Sequence, residues 1–410
     1  MGNNQSSRIR RCPFAPVELL MEIHMRTRQI TALASATFML LGACGSGDPT
    51  STLLRGSDAA VSANNAAASP DVIAGEPFPD ARCEANKAAG TITYLTGFDF
   101  AAAASIVEVI TADSAGYYTD LCLDIDIKAS FSVANYPLIA DNTAQFASGG
   151  SFSEVVAFAA ANDAGFVVTA VEGRTAIEAL ILKVGEAAEL GDLAGSTIGV
   201  KGKLPPSIEA MLLAAGLTEG VDFQTVLLDG FDPTQHIAIP TIVGFPGFKS
   251  NEPGGLNRAG IGFQTFDPLD FNIPGSFGAI YTNQAFLADH PTAAQDFMRA
   301  TMRGLAESLA DPVAAANLAV EKVNANGNPN FLSPEGEVFR WATDAQLIID
   351  TTPEGTAFGV PDATMLQAEL DAYAAVGLFG DSATPDAASR LGNEIIASVY
   401  DANGTVIWPG

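Results

Sequence analysis

The feature that most constrains the fold of this 410-residue chain is a repeated alternation of short apolar strands with amphipathic helices. The segment TITYLTGF at 91–98 is typical of a strand, and Ile106, Val109 and Ile110 share one face of a helix predicted over 101–114. Strands that alternate with helices predict a mainly parallel α/β sheet, followed here by a helical last third that returns to the first unit. Further strands are predicted at 121–130, 165–172, 197–202, 223–228 and 278–283, and further helices at 154–162, 292–309, 312–325, 333–349 and 362–376.

The first 43 residues have the pattern of a bacterial secretion signal. Arg26 and Arg28 precede an almost purely apolar run at 30–41, which has the length of a signal peptide and is too short for a stable membrane span. We interpret residues 1–43 as the signal-peptide region, and residues 1–24 within it as a mis-assigned start.

The apolar run ends in Leu41-Gly42-Ala43-Cys44, which resembles the lipobox of bacterial lipoproteins. In a lipobox the cysteine sulfur carries diacylglycerol after cleavage, so we predict lipidation of Cys44 and anchoring at the extracytoplasmic face of the cell membrane. The alternative is a buried helix that ends at Gly42, but no apolar period continues beyond Cys44. Residues 44–88 are rich in Ala, Ser, Asn, Gly and Pro without periodicity, and we predict a flexible tether there.

The chain is strongly acidic, with 47 Asp and Glu against 20 Lys and Arg and a net charge of −27. Such a chain repels nucleic acid and anionic membrane surfaces, so we expect no nucleic-acid partner and a membrane contact only through the lipid anchor. The acidity by itself is typical of a solvated surface. The 48% hydrophobic composition allows a large core, and the length suggests two domains.

Cys83 and Cys122 form a candidate disulfide. The alternation of apolar and polar residues in LCLDIDI, at 121–127, places Cys122 on the polar face of a strand, within reach of the segment around Cys83. Outside the cytoplasm an even pair of cysteines can be bonded, and a bridge here would contribute roughly 3–4 kcal/mol in the loop-entropy model. Two reduced thiols are the open alternative.

Six segments carry a family signal through their order and spacing. They are GFDF at 97–100, SAGYYTDLCLDIDI at 114–127, SGGSFSEVVAFAA at 148–160, DLAGSTIGV at 192–200, SNEP at 250–253 and GAIYTNQAFLADHPTAAQDFMRATMRG at 278–304. Together they resemble the solute-binding lipoproteins of bacterial ABC importers for thiamine pyrimidine precursors, sulfonates and nitrate, over roughly residues 90–380. The chain differs after GF, where alanines at 101–104 replace the tryptophan or proline of the family, and this difference leaves the ligand identity open.

The resemblance implies the type II periplasmic-binding-protein fold, which is two α/β lobes joined by two crossing strands with a ligand cleft between them. Lobe 1 would comprise residues 89–189 and 284–400, and lobe 2 residues 190–283. The resemblance also implies a small-molecule ligand and the permease subunits of an importer as partners. We expect a monomer without a cofactor or a metal.

In open α/β sheets, ligands bind beyond the carboxyl ends of the strands, where several candidate residues lie. After the first strand, Phe98 and Phe100 offer rings for stacking and Asp99 offers an acceptor. The alternatives are core packing for both rings and a helix cap for Asp99.

The segment Ser148-Gly149-Gly150-Ser151 precedes a predicted helix and offers a concavity of N–H and hydroxyl donors. The alternative is an ordinary helix start, in which Ser151 and Glu154 form a capping box.

The second half of the chain adds Ser207, which follows the stiff Pro205-Pro206, and Asn251 and Glu252 in the loop GFPGFKSNEPGGL. A rigid turn is the alternative for Ser207, and a surface acid is the alternative for Glu252. A carboxylate in a cleft pairs well with amino or ring N–H groups and poorly with an anion. These residues favour a planar nitrogenous ligand such as a thiamine pyrimidine precursor, with a sulfonate, taurine or nitrate as the alternative.

Enzyme signatures are missing from the sequence, which has no G-x-S-x-G, H-E-x-x-H, P-loop or G-x-G-x-x-G motif. We therefore expect a binding protein, with a pyrimidine-metabolising enzyme as the alternative from another class.

Overall fold

The structure is a computed structural model that describes residues 70–326 and 333–410. The predicted signal region, the lipidation of Cys44 and the tether up to residue 69 lie outside the described residues. Within the two described ranges, no helix combines the length and the apolar character needed to cross a membrane.

The strands of the described ranges form two five-stranded sheets. They are β1 (Thr91–Leu95), β2 (Asp124–Lys128), β3 (Phe146–Gly149), β4 (Phe166–Gly173), β5 (Glu178–Lys183), β6 (Thr197–Val200), β7 (Gln224–Leu227), β8 (Gly244–Phe248), β9 (Phe263–Phe266) and β10 (Phe277–Asn283). The first sheet has the order β2-β1-β3-β10-β4 and the second has the order β7-β6-β8-β5-β9.

The helices in the same ranges are longest in the last third of the chain. They are α1 (Asp80–Ala88), α2 (Val107–Ser114), α3 (Tyr117–Asp120), α4 (Ser132–Ala140), α5 (Phe152–Asn162), α6 (Pro206–Ala214), α7 (Pro233–Ile237), α8 (Glu252–Arg258), α9 (Gln284–Asp289), α10 (Pro291–Ala310), α11 (Pro312–Asn326), α12 (Pro334–Thr351), α13 (Ala363–Ala374) and α14 (Asn393–Ala397). Short 3₁₀ turns lie at Leu190–Leu193, Pro268–Phe271 and Ala387–Arg390.

Both sheets are mixed, so the expectation of mainly parallel sheets is only partly right. β1 is parallel to β2 and β3, and β6 is parallel to β7 and β8. β10 is antiparallel to β3 and β4, and β5 is antiparallel to β8 and β9. The reversal has a topological cause: β5 and β10 each start where the chain arrives from the other sheet. The carboxyl ends of the parallel strands of both sheets therefore lie on the side where the chain crosses.

The chain crosses between the sheets twice, at 174–177 and at 267–276. The sheets divide the chain at other residues than the predicted lobes, because β5 pairs in the second sheet and β10 pairs in the first. The division into two lobes remains a prediction, and these two connections are its natural boundaries.

The larger core lies between the first sheet and the long helices. The ring of Phe297, in α10, stacks on Phe146 with centroids 4.2 Å apart and on Tyr118 with centroids 5.4 Å apart. Trp341, in α12, is fully buried, and its indole N–H donates to the Ser308 carbonyl at 3.0 Å. Each large apolar side chain buried in this way contributes roughly 1.5–3 kcal/mol relative to exposure.

The start of α2 differs from the prediction of a helix over 101–114. Residues 101–106 form a buried irregular loop instead, and the helix begins at Val107. Ser105 has a left-handed φ of 60°, which interrupts any helix at that point. The backbone N–H groups of this loop donate to distant carboxylates, as described below.

The predicted tether of 44–88 is wrong at its end, because residues 80–88 form α1. This helix packs on α10 through Arg82, whose guanidinium donates to Asp296 Oδ2 at 2.7 Å and Oδ1 at 2.9 Å. Asn86 also donates to Asp296, at 2.8 Å. Composition did not reveal this helix because its buried face is polar. Removal of one partner from such a buried pair typically costs about 3–5 kcal/mol.

Two further contacts fasten the amino-terminal part of the described chain. Cys83 of α1 is bonded to Cys122, with Cα atoms 5.2 Å apart. The carboxyl-terminal tail returns to the same end of the molecule, where Gly75 N–H donates to the Trp408 carbonyl at 2.9 Å. The Arg303 guanidinium lies 4.2 Å from the Trp408 ring centroid and 4.1 Å from the centroid of Tyr117.

Candidate ligand-binding site

The candidate site is the region at the carboxyl ends of β1 and β3 in the first sheet and of β6 and β8 in the second, and we call this region the gap. Helix α12 contributes to both sides of it. Arg340 Nη2 donates to Asn251 Oδ1 at 3.3 Å in the loop after β8, and its guanidinium lies 5.7 Å from the Phe98 ring in the loop after β1. A Cβ on Gly254 would lie 2.5 Å from the Phe339 ring, so only glycine permits this approach of α8 to α12.

The three candidate residues after β1 differ in their exposure and in their contacts. Phe98 is 38% exposed and packs edge-to-face on Phe131, which is also exposed, with ring centroids 5.8 Å apart. Phe100 is 5% exposed and packs in the core, which agrees with the alternative of core packing. Asp99 has a left-handed φ of 53°, and its Oδ1 accepts from the Phe100 N–H at 2.9 Å rather than capping a helix.

The segment 148–151 also divides into an internal and an accessible half. Ser148 is 2% exposed, with its hydroxyl against that of Ser105. Gly149 is buried, and a Cβ there would lie 2.6 Å from Val155. Gly150 is exposed, and Ser151 is half-buried and caps α5 by accepting from the Glu154 N–H at 3.2 Å. The interior positions of Ser148 and Gly149 place them behind the surface of the gap.

Ser207 and Glu252 are both engaged by other residues of the chain. Ser207 is 1% exposed and donates to Glu178 Oε2 at 3.0 Å. Glu252 is 3% exposed, and its Oε1 accepts from Lys201 Nζ at 3.0 Å while Oε2 accepts from the Phe248 N–H at 2.8 Å. A ligand would have to displace one of these bonds to reach Glu252.

Sequence reasoning missed the carboxylates that meet the loop before α2. The N–H of Ala102 donates to Glu337 Oε2 at 2.7 Å, and the N–H of Ala104 donates to Asp344 Oδ2 at 3.1 Å. The N–H of Ser105 donates to Glu172 Oε1 at 2.9 Å. An alanine run gives no signal for such contacts, because their partners lie up to 240 residues away.

Burial perturbs these carboxyl groups strongly. Desolvation raises the pKa of Asp344 to about 6. Hydrogen bonds from the Ala104 N–H and the Ser250 hydroxyl act in the opposite direction and lower this pKa. Desolvation also raises the pKa of Glu108 to about 7 and raises the pKa of its neighbour Glu172. The carboxyl group of Glu337 has a cationic partner, because Arg340 Nη1 lies 2.7 Å and 2.8 Å from its two oxygens.

A second acidic group lies beside the start of α5. Desolvation by the surrounding protein and the charge of Glu178 raise the pKa of Glu154 to about 7, although part of its side chain still reaches solvent. Desolvation raises the pKa of Glu369 to about 7 and also raises that of Glu178. These carboxyl groups leave the gap rich in acceptors.

The surface outside the gap has fewer features of a binding site. A shallow depression bounded by Lys87, Thr91, Thr119 and Asp124 lies at the amino ends of β1 and β2, away from the gap. In the portion of the chain that the structure describes, no three His, Cys, Asp or Glu side chains are arranged to hold a metal ion.

The family is decided by a model of the NMT1/THI5-like proteins, which matches residues 103–315. The chain belongs to the NMT1/THI5-like family. The matched range includes strands of both sheets and both crossings, so it covers most of the framework of the gap.

Solved structures with the same fold are periplasmic binding proteins. The aliphatic sulphonate binding protein SsuA from Escherichia coli aligns with a TM-score of 0.52 at 14% identity, over 73% of this chain and 91% of that one. The nitrate-binding protein NrtA from Synechocystis aligns with a TM-score of 0.53 at 13% identity, over 75% of this chain and 87% of that one. This NMT1/THI5-like protein therefore has the predicted periplasmic-binding-protein fold.

A curated relative is more similar in sequence over a shorter stretch. The riboflavin-binding protein RibY from Chloroflexus aurantiacus is 33% identical over 137 residues, which is 33% of this chain. The match spans only 38% of the length of RibY.

Proposed function

We propose that the protein is the solute-binding component of an ABC importer, in which two lobes close over a small planar nitrogenous ligand such as a thiamine pyrimidine precursor. Lipidation of Cys44 would hold it at the extracytoplasmic face of the cell membrane, where it would deliver the ligand to permease subunits as a monomer. Family membership, the shared fold and a gap between two sheets support this proposal. Hinge bending at 174–177 and 267–276 would couple closure to binding.

One observation carries the choice of ligand class: the N–H donors of the loop before α2 already bind carboxyl groups of the chain itself. Backbone N–H groups near a helix start are common binding places for sulfonate-like or phosphate groups. Here the N–H groups of Ala102, Ala104 and Ser105 donate to side-chain carboxyls of the chain itself. An incoming anion would find these donors occupied and would meet like charge in a poorly solvated gap. A neutral or cationic ligand with N–H donors meets no such obstacle.

The exposed aromatic pair supports a planar ligand. Phe98 and Phe131 present ring surface at the gap, and the Arg340 guanidinium lies nearby. Aromatic contacts of this kind contribute about 0.5–1.5 kcal/mol beyond the burial of area. Riboflavin, the ligand in the name of the relative RibY, is also a planar nitrogen heterocycle.

Isothermal titration calorimetry with four probes tests this proposal. The probes are 4-amino-5-hydroxymethyl-2-methylpyrimidine, riboflavin, taurine and nitrate. We expect saturable binding of a nitrogen heterocycle and no heat of binding with either anion. Saturable binding of taurine or nitrate, with none for the heterocycles, would reject the proposed ligand class and leave the importer role standing.

A further inference from the structure

Three acidic residues from separate parts of the chain, Glu154, Glu178 and Glu369, interact electrostatically near the start of α5, and we call them the acid pocket. Glu154 lies in α5, Glu178 opens β5 in the second sheet and Glu369 lies in α13. The charge of Glu178 acts on both of the other two. Helix α13 packs against α5 and also against α6, so the acid pocket joins elements of both sheets.

The hydrogen bonds of the acid pocket leave one buried acceptor, Glu369 Oε2, without a donor. Glu369 Oε1 accepts from the Ser153 N–H at 3.2 Å, and Glu178 Oε2 accepts from the Ser207 hydroxyl at 3.0 Å. The side chain of Glu369 is fully buried, and the Ser276 hydroxyl lies beside its carboxyl group, yet Oε2 has no donor at hydrogen-bonding distance. A buried acceptor without a partner costs about 1–3 kcal/mol, so such groups call for an explanation.

Within the described residues, cations do not balance these three acids. Lys249 lies near Glu178, but its amine is 2.7 Å from Asp267 and so is already paired. Lys203 acts on Glu154 from an exposed position, and it makes no ion pair within residues 70–326 and 333–410. Like charges in a poorly solvated space favour protonation, which agrees with the raised pKa values of Glu154 and Glu369.

A hydroxyl group completes the arrangement. Tyr373, one turn after Glu369 in α13, is 4% exposed and lies beside Ser207. The charges of Glu369, Glu178 and Glu154 all act on its hydroxyl and, together with the larger effect of desolvation, raise its pKa. Glu369, Glu178 and Glu154 therefore all lie near the Tyr373 hydroxyl.

We propose that the acid pocket binds an amino or amidinium group of the ligand and thereby selects heterocycles that carry one. This inference rests on the proposed function and extends it, since Glu252, the acid expected from the sequence, is occupied by Lys201 and the Phe248 N–H. Glu369 is fully buried here, so the ligand group reaches it while the segments of the two sheets are apart. Closure then places the donor among the three carboxyl groups.

A swap of acceptor for donor at Glu369 tests the acid pocket. Glu369→Gln keeps the shape of the side chain but adds an N–H₂ group. The probes are 4-amino-5-hydroxymethyl-2-methylpyrimidine and its counterpart with a 4-oxo group, titrated into wild type and variant. We expect the variant to bind the amino probe about 10-fold to 100-fold more weakly and to lose or invert the wild-type preference over the oxo probe. Glu186→Gln, at an exposed glutamate, is the matched control and should change neither affinity.

Proton release gives a second readout that a purely structural role would not move. A donor or cation in the acid pocket lowers the pKa of the carboxyl groups, so binding near pH 6.5 should release protons. Titration in phosphate and in imidazole, whose ionisation enthalpies differ, measures that release. We expect release in wild type and a clearly smaller release in Glu369→Gln.

The outcomes separate the two proposals. If Glu369→Gln weakens both probes equally, or neither, and proton release is unchanged, the acid pocket does not bind the ligand and the proposed function stands. If only taurine or nitrate binds, the proposed ligand class fails and the acid pocket fails with it. A thermal unfolding curve of each variant confirms that the comparison is made between folded proteins.

Discussion

Two groups of acids with raised pKa values share their chemistry and differ in their surroundings. The interior trio, which is Glu108, Glu172 and Asp344, lies among α2, β4 and α12, all packed on the first sheet. The acid pocket draws its members from both sheets and keeps a path to solvent at Glu154. From this difference we expect the interior trio to couple to folding and the acid pocket to couple to ligand binding.

The pH dependence of stability follows from these raised pKa values. A carboxyl group whose pKa is higher in the folded protein binds its proton more tightly there than in the unfolded chain. Its contribution is therefore fully present below its ordinary pKa of 4.5 and is lost as the pH rises through the folded value, which is about 7 for Glu108 and Glu369. We expect the ligand-free protein to be most stable near the acid end of the window from 4.5 to 7.

The largest effect should come from Glu337, the buried acid that contrasts with both groups because it has a cationic partner. Glu337→Gln leaves the Arg340 guanidinium buried without its charge partner, and we expect a loss of about 3–5 kcal/mol in the free energy of unfolding. Denaturant unfolding near neutral pH measures it. Glu335→Gln, at an exposed glutamate of the same helix, serves as the control. A loss below about 1 kcal/mol would remove the contrast between paired and unpaired acids.

The second largest effect concerns the interior trio, and we expect it to depend on pH. Both Glu108 oxygens are buried without a donor, so Glu108→Gln should stabilise the protein at pH 8 by a free energy on the order of 3 kcal/mol. The gain should vanish toward pH 5, where wild-type Glu108 is protonated. Unfolding curves at both pH values measure the difference. A variant that is less stable than wild type at every pH would show that the carboxylate form stabilises the fold.

A ligand should affect only one of the two acid groups. At a hundredfold excess over Kd, a ligand stabilises the folded protein by about 2.7 kcal/mol, and this gain should grow from pH 5 to pH 8 as the acid pocket ionises. Thermal unfolding with and without the amino probe measures it. Glu108→Gln should keep the growth with pH, and Glu369→Gln should lose it. If Glu108→Gln lost the growth with pH and Glu369→Gln kept it, the ligand would act on the interior trio and not on the acid pocket.

The smallest effect lies outside both acid groups, at the exposed ring of Phe131. Phe131→Ala should weaken binding of the amino probe by about 0.5–1.5 kcal/mol, because one face of the aromatic pair is lost. The free energy of unfolding should change by less than about 0.5 kcal/mol, since the residue is 44% exposed. Calorimetry and denaturant unfolding give the two numbers, and Val133→Ala, an exposed neighbour, is the control.

Local patterns in the sequence predicted much of the framework. Alternation located β1, β4, β6 and β7, and apolar periodicity located the four long helices from α10 to α13 to within a few residues. Pro206 does lie at the first position of α6, and Ser151 does cap α5. These features depend on a few adjacent residues, which is why one sequence is sufficient to find them.

Features that depend on distant partners escaped prediction. The helix expected from residue 101 begins at Val107, because Glu337, Asp344 and Glu172 bind the N–H groups before it. The acid pocket unites residues more than 200 positions apart, and neither α5 nor α13 alone indicates a site. Glu252 is a carboxylate shortly after the end of β8, as expected for a ligand-binding acid. Its partner Lys201 lies 51 residues away in the sequence, so the loop around Glu252 gives no sign of this pairing.

The most direct test of the central claim is to identify the molecule that the protein retains. Full-length protein from cells grown in rich medium would be purified without exposure to denaturant, unfolded, and the released small molecules analysed by mass spectrometry. The account predicts a nitrogen heterocycle that carries an amino or other N–H donor group, in an amount that falls in Glu369→Gln. A sulfonate or nitrate recovered in stoichiometric amount would contradict it.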